Sequence, residues 1–297
     1  MSAIEIIGLT KRFGSVTAVS KLDLAIAAGE VFGLVGPDGA GKTTTLRILC
    51  GLVDPTEGQT RVAGFDPVKQ TTQVRDQIGY MAQRFGLYQD LTVEENMDFY
   101  ADLFGISDAT LEPLKLRLLG MTRMEPFRNR PAGQLSGGMK QKLALMCALL
   151  HKPAILLLDE PTNGVDPVSR RDFWLILEDL VQGGMTLIVS TSYLDEAERC
   201  GRVGLMHEGR LIRCGSPAEL KKAMPGRFWE VEPEDMRATR RDLEAHQGIW
   251  GVKPSGATLH VHAAPEVNVS DWMKARVIEP SLEDVFVAVV TAEEKHA

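Results

Sequence analysis

No stretch of the sequence approaches the ~18 consecutive apolar residues of a membrane-spanning helix, so any work at a membrane is expected to borrow another chain for the crossing. The opening residues, Met1-Ser-Ala-Ile-Glu, carry no basic region followed by an apolar stretch, and no signal peptide is expected. Cysteine is sparse. Cys50, Cys147, Cys200 and Cys214 show no C-x-x-C spacing, so free thiols in a reducing cytosol are expected. Positive charge is also short: 33 Lys and Arg face 40 Asp and Glu, a formal net charge of -7. A duplex nucleic-acid binder needs a basic face, and nucleic acid is not an expected partner. The basic pairs Lys11-Arg12, Arg170-Arg171, Lys221-Lys222 and Arg240-Arg241 are scattered and read as solvated surface. There is no internal repeat, low-complexity tract or coiled coil.

What is present is ordinary globular composition, with 44% hydrophobic and 25% charged residues among 297, enough for two units. Residues 30–35 are apolar nearly throughout, as strands of a parallel sheet are. A helix follows over about 41–50, with Gly51 as its stop. Residues 154–158 and 186–189 are further apolar runs. Between them, Asp166-Pro167 reads as a helix cap and first residue, and Gly183-Gly184 as its end. Strands alternating with helices imply an α/β fold with a largely parallel sheet.

Residues 88–150 interrupt this rhythm as an inserted helical subdomain. Thr92-x-x-Glu95 is a capping box opening a helix that reaches Phe104. Leu143, Met146, Cys147 and Leu150 share a helical face. After about residue 225 the pattern changes to a small α+β appendage. Strands are expected at 228–231, 249–252 and 258–261, a helix at 235–246, and a last helix capped by Ser281-x-x-Asp284. The expected division is therefore 1–225 and 226–297.

Gly36-Pro-Asp-Gly-Ala-Gly41-Lys42-Thr43 sits between strand and helix, the context a phosphate-binding loop requires. Gly36, Gly39 and Gly41 let backbone N–H groups wrap phosphate oxygens, aided by the helix N-terminus. Lys42 is expected to reach the β- and γ-phosphates, and the Thr43 hydroxyl to ligate Mg2+. Downstream, Ile155-Leu-Leu-Leu-Asp159-Glu160 places a carboxylate at the end of a buried strand, costly unless paired. Asp159 is expected to hold Mg2+ through its water shell, and Glu160 to polarise the attacking water. Leu135-Ser136-Gly137-Gly138-Met139 is a second glycine turn opening a helix, whose N–H groups are open to an anion.

Over about residues 1–222 these motifs, in this order, resemble the ATPase subunits of ABC transporters. The pairing of the phosphate loop with Ser190-Thr-Ser-Tyr-Leu-Asp-Glu-Ala-Glu198 narrows the resemblance to ABC-2 exporters of the multidrug-efflux kind, and the terminal Glu279-Pro-Ser-Leu-Glu-Asp-Val-Phe286 also resembles the C-terminal segment of drug-resistance exporter ATPases. The chain looks most like the first nucleotide-binding half of bacterial tandem-ATPase multidrug-efflux proteins. The resemblance implies an ABC-type P-loop NTPase core that closes as a dimer on ATP. It assigns ATP to Phe13, Gly36, Pro37, Asp38, Gly39, Ala40, Gly41, Lys42, Thr43 and Thr44, with Phe13 stacking on adenine. Ser136, Gly137 and Gly138 would cap the γ-phosphate held by the opposite subunit. Gln83 would touch Mg2+ and sense the membrane partner, and Asp166 would communicate between sites. The implied partners are a multispanning permease and a second nucleotide-binding unit, identical or not. The implied place is the cytoplasmic face of a bacterial inner membrane.

Three positions depart from the family pattern. Asp38 replaces asparagine or serine, and Met139 replaces a common glutamine. Ser192 stands where the family has a histidine contacting the γ-phosphate. Ser192-x-x-Asp195 also reads as a capping box for the next helix. Loss of one preorganised donor is expected to slow hydrolysis by about 10²–10³. Two rival readings are an ABC-type ATPase acting on ribosomes or nucleic acid and a regulatory ATP-binding module with little turnover. His260-x-His262 puts two imidazoles on one side of a strand; an exposed strand face is expected there rather than a metal site.

Overall fold

The computed structural model describes residues 2–294. Contacts gather the chain into two units. The first runs to Ser192 and takes in Met206–Leu211; the second holds Tyr193–Leu205 and the residues from Ile212 onward.

The first unit begins with strands β1 (Ser2–Phe13), β2 (Val16–Ala27) and β3 (Val31–Val35). Helix α1 (Lys42–Leu49), β4 (Glu57–Val62), α2 (Thr71–Gln77) and β5 (Ile78–Met81) follow. Then come α3 (Val93–Leu103), α4 (Asp108–Thr122) and α5 (Gly137–Leu149). Strand β6 (Ile155–Asp159), α6 (Pro167–Gln182) and β7 (Thr186–Thr191) complete the series. Strands β5, β6, β7 and β3 lie side by side in that order and are parallel. β6 and β7 are buried along their whole length, which is why their sequences are apolar rather than alternating. A second, antiparallel sheet has the order β2-β1-β4. Ile4, Leu9 and Ile26 from it meet Phe32, Leu157 and Ile188 of the parallel sheet in one core.

Helices α3 to α5 form the inserted helical part. The capping box of α3 is reciprocal: Thr92 Oγ1 accepts from Glu95 N at 3.1 Å, and Glu95 Oε2 accepts from Thr92 N at 2.8 Å. Lys115 of α4 is buried, its ammonium bound by Glu94, Asp98 and Glu112 at 3.3, 2.7 and 2.6 Å. A buried cation needs such partners.

In the second unit α7 (Leu194–Ala197) precedes β8 (Arg202–His207) and β9 (Arg210–Gly215), two strands through which the division between units runs. Next come α8 (Pro217–Lys222), β10 (Arg227–Val231), α9 (Met236–Glu244), β11 (Ile249–Ser255) and β12 (Thr258–Ala263). The last elements are β13 (Ala275–Ile278) and α10 (Leu282–Glu294). The sheet order is β11-β12-β10-β13, all antiparallel. Trp229, Val231, Leu259 and Val261 pack with Leu243 of α9 on one face. Strand β13 is not announced by residues 275–278 themselves; pairing of Phe228 with Ile278 and of Val231 with Ala275 creates it. The last helix is capped as expected, with Ser281 Oγ accepting from Asp284 N at 3.2 Å.

Two expectations are corrected. Ser192 does not cap the next helix: α7 starts one residue later, with Tyr193 as N-cap and no side-chain cap bond. The residue at the third helical position is then the buried Glu196 rather than Asp195. His262 does not lie on an exposed strand face. It is 8% exposed, donates through Nε2 to Pro225 O at 2.7 Å and stacks on Phe228.

Candidate active site

The carboxyl ends of β3, β5, β6 and β7 carry the polar groups, as expected for a ligand crevice in an open parallel sheet. Between β3 and α1 the chain turns so tightly that only glycine fits in places. A Cβ on Gly36 would meet the Met206 carbonyl oxygen at 2.2 Å, and Gly41 has φ +99° with the Ala18 carbonyl 2.4 Å from a built Cβ. Pro37, Asp38 and Gly39 are exposed, Thr44 is half-buried, and Ala40 is buried. Asp38 therefore points its charge to solvent rather than into the fold.

Lys42 is 4% exposed. Its Nζ donates to Gly36 O at 2.6 Å and Pro37 O at 3.0 Å, and pairs with Glu160 Oε1 at 3.1 Å. The Thr43 hydroxyl donates to Asp159 Oδ1 at 2.9 Å. Asp159 is fully buried at the end of β6 and also accepts from Ser190 Oγ at 2.7 Å and Tyr80 OH at 3.4 Å. Burial, and then the Asp159 charge, push the Tyr80 hydroxyl up to about 12, so it stays a donor.

Glu160 has a left-handed backbone, φ +48°, rare for a residue with a side chain. Its N–H is fixed by Ser190 O at 3.1 Å and Ser190 Oγ at 3.0 Å. Its carboxylate accepts from Gln83 Nε2 at 3.0 Å and Asn163 Nδ2 at 3.2 Å, besides meeting Lys42. Such strain persists only where surrounding bonds over-determine it, and it concentrates at functional sites.

One network of side-chain hydrogen bonds thus joins Gly36, Pro37, Lys42, Thr43, Gln83, Asp159 and Glu160. The other expected residues stand outside it. Phe13 is 50% exposed at the end of β1, with the Lys11 ammonium 4.8 Å from its ring centroid. Ser136 caps α5, accepting from Met139 N at 3.3 Å. Gly137 is open, whereas a Cβ on Gly138 would meet Ser169 Cβ at 2.6 Å. Gly138 is therefore also required by the packing of α5 on α6. Asp166 caps α6, accepting from Val168 N at 3.1 Å and Ser169 N at 2.9 Å; these bonds, that from Ser169 above all, hold its carboxyl below its ordinary pKa. Ser192 is an exposed bend residue after β7.

Sequence reasoning missed Ser190, Tyr80, Asn163 and Gln141. Gln141 is fully buried in α5 and its amide donates to Pro161 O, tying the glycine-turn helix to the Asp159-Glu160 turn. The one available signal was a polar Ser190-Thr191 pair ending an otherwise apolar strand.

Among the described residues, no helix is long and apolar enough to cross a membrane. The family model described as ABC transporter matches residues 19–163. The probable multidrug ABC transporter ATP-binding protein YbhF of Escherichia coli (strain K12) is 43% identical over 96% of this chain and 52% of its own length. The chain thus spans about half the length of that relative. Nod factor export ATP-binding protein I of Rhizobium sp. (strain N33) is 35% identical over 98% of both chains. Among solved structures, cbiO1 from Clostridium perfringens, part of the ABC transporter complex cbiONQ, matches with a TM-score of 0.69 at 26% identity, over 75% of this chain and 91% of that one. The ATP-binding cassette MJ0796, in a dimeric post-hydrolysis state bound to ADP and Pi, matches with a TM-score of 0.65 at 29% identity, over 72% and 98%. End-to-end likeness to a curated relative and a phosphate loop wired to buried carboxylates lead to one conclusion: this chain belongs to the ABC transporter family.

Proposed function

We propose that this protein powers an ABC-type exporter of small molecules by closing on ATP with a second nucleotide-binding unit and reopening after hydrolysis. The carrying observation is the network in which Lys42, Thr43 and Gln83 converge on Asp159 and Glu160. The relatives named for multidrug transport and Nod factor export support the exporter direction.

In this reading residues 1–225 are the nucleotide-binding domain and 226–297 an accessory domain, part of which lies outside the described residues. Backbone N–H groups of 36–41 and the start of α1 hold the polyphosphate. Lys42 neutralises its terminal charge, and Phe13 covers the adenine. Glu160, aimed by Ser190 and Gln83, takes the proton of the attacking water. The Thr43 hydroxyl and the Asp159 carboxylate, 2.9 Å apart, form a hard-oxygen donor set that suits Mg2+. The bound ion would supply neutralisation of phosphate charge. Ser136, Gly137 and Gly138 present the N-terminus of α5 to the nucleotide of the partner unit, and Asp166 lies at that same junction.

A groove of about 350 Å³ beside Gln83, lined by Arg84, Phe85, Tyr100, Phe104 and His151, receives a helix of the membrane permease. Gln83 thereby links partner and Glu160. The protein then works at the cytoplasmic face of a bacterial inner membrane. A second reading, a regulatory module with little turnover, is favoured by one observation: the exposed Ser192 stands at the position of a histidine donor.

ATP turnover of the purified chain, measured across protein concentrations beside Glu160→Gln, tests this. Turnover per subunit that rises with concentration and vanishes in the variant is the expected result. ATP binding with negligible turnover at every concentration selects the regulatory reading.

A further inference from the structure

The second unit holds a chamber that the ATP chemistry does not use. A cavity of about 290 Å³ lies between one face of the four-stranded sheet and α10. Strand alternation puts His260 and His262 on this face, opposite Leu259, Val261 and Ala263 on the α9 side. The wall is aromatic and aliphatic: Phe228, Trp250, Val285 and Val289, with Leu220 of α8. Its polar side chains are Lys253, His260, His262, Asp284 and Thr291, with the exposed Arg213.

The hydrogen bonds fix which atoms donate. A carbonyl only accepts, so His262 Nε2 carries the hydrogen shared with Pro225 O. Burial holds this ring below the ordinary imidazole pKa, against the smaller opposing pulls of the Pro225 carbonyl and Asp284. The neutral ring therefore presents Nδ1 as a bare acceptor. His262 stacks on Phe228, with centroids 4.3 Å apart, and meets Trp250 edge-on at 4.9 Å.

Asp284, Lys253 and His260 are matched to one another, while the exposed Arg213 gives Nη1 to Ile212 O at 2.9 Å. Asp284 accepts from Ser281 N at 2.9 Å and Ser281 Oγ at 2.7 Å, and meets Lys253 Nζ at 2.8 Å and His260 Nδ1 at 3.0 Å. Lys253 also pairs with Glu283 at 3.3 Å. These contacts occupy Lys253, His260 and Asp284, and Arg213 is solvent-exposed, so the buried wall around His262 holds no unmatched charge for a charged ligand. Nor do the imidazoles form a metal centre: among the described residues no group of three His, Cys, Asp or Glu side chains could hold an ion.

An acceptor nitrogen set in an aromatic wall asks for a flat apolar ligand that brings its own donor. The volume, at the lower edge of the ~300–1,000 Å³ typical of small-molecule sites, asks for a compact one. We propose that this cavity binds a phenolic aromatic molecule of one or two rings, its ring against Phe228 and Trp250 and its hydroxyl donating to His262 Nδ1. The site is independent of the ATP reading. It gives the appendage a way to sense a small aromatic compound, because such a ligand would bridge the sheet and α10.

Equilibrium dialysis of the full chain against 2-naphthol and 2-methoxynaphthalene tests this. The two probes share a ring system, but only the first has a donor. Saturable binding of one 2-naphthol per chain is expected, at least about tenfold tighter than the ether. His262→Phe keeps the stacking ring and should erase that preference. Ala288→Phe, on the cavity side of α10, should abolish binding of both probes. Wild-type circular dichroism and melting are the check that each variant folds. Equal affinity for the two probes overturns the proposal. So does tighter binding of 2-naphthoate, which would make a cation of the wall, Lys253 or Arg213, the recognition group. Unchanged binding of 2-naphthol in folded His262→Phe also overturns it.

Discussion

Ser190→Ala removes one hydroxyl that serves two catalytic positions. The hydroxyl donates to Asp159 Oδ1 at 2.7 Å and accepts from Glu160 N at 3.0 Å, and the residue is fully buried. The Glu160 N–H keeps a second partner, Ser190 O at 3.1 Å, so its loss is partial. Asp159 keeps Thr43 and Tyr80 but loses its shortest donor. A hydrogen bond to a charged group is worth roughly 1.5–3 kcal/mol, and a central figure of about 2 kcal/mol fits one main loss with partial relief. For a domain of this size that is about 4–8 °C in Tm. Outer-shell partners of metal-binding groups typically cost 10–100-fold in activity, so turnover should fall by that order while ATP binding through the phosphate loop changes little. Differential scanning calorimetry with and without Mg-ATP, paired with steady-state turnover, reads both effects. A Tm within about 1 °C of wild type and unchanged turnover would refute the view that Ser190 aims the two carboxyl residues.

Ser192→His should raise ATP turnover by about 10²–10³ with little change in ATP affinity, since it restores one donor at an exposed position beside the site; no gain in single-turnover rate sinks that expectation. Gly137→Ala and Gly138→Ala separate the two jobs of the glycine turn. A Cβ on Gly138 meets Ser169 at 2.6 Å, and overpacking of this kind costs about 1–3 kcal/mol, while a Cβ on Gly137 meets nothing closer than 3.9 Å. Chemical denaturation should therefore find only the Gly138 variant destabilised, and equal stability of the two would contradict the packing role. In the second unit, Asp284 is held down to about 2: burial pushes it up, but Lys253, Ser281 and His260 outweigh that. A carboxyl depressed on folding adds stability above its unfolded pKa of about 4 and loses it as pH falls towards 2. Thermal melts from pH 5 to pH 2 should accordingly fall less steeply for Asp284→Asn than for wild type.

What the sequence discloses is what neighbours along the chain determine. The Thr92 and Glu95 box, the Asp166 cap before Pro167 and the glycine spacing of the phosphate loop are local, and each forms as written. The capping pattern that misleads is Ser192-x-x-Asp195, because a helix start can slip by a residue and Tyr193 takes the place. Contacts between distant residues are not visible in this way. Ser190 is an ordinary strand residue until the parallel pairing sets it opposite Asp159. Gln141 reaches Pro161 only once α5 lies over the β6 turn. Strand β13 is four residues long and exists through β10. His262 looks surface-bound by alternation alone, since nothing in residues 258–263 announces that α10 will cover that face.

The Lys42–Glu160 pair makes a last expectation. Lys42 is 4% exposed and Glu160 8%, and their charged groups meet at 3.1 Å. A polyphosphate reaching Lys42 competes with this carboxylate and also meets its negative charge. At an effective dielectric near 20 a pair about 4 Å apart is worth roughly 4 kcal/mol, an upper bound because the phosphate replaces most of what Lys42 gives up. Glu160→Gln removes the competitor and the repulsion but keeps the amide shape, and its oxygen can still accept from Gln83. The variant should therefore bind ATP about tenfold tighter while turning it over immeasurably slowly, a gain of about 1.4 kcal/mol in binding. Isothermal titration with ATP, in EDTA and then with Mg2+, measures this. Weaker binding without Mg2+ would mean that Glu160 orders Lys42 for the phosphate rather than competing with it. That result would reverse the assigned electrostatics while leaving Glu160 as the base.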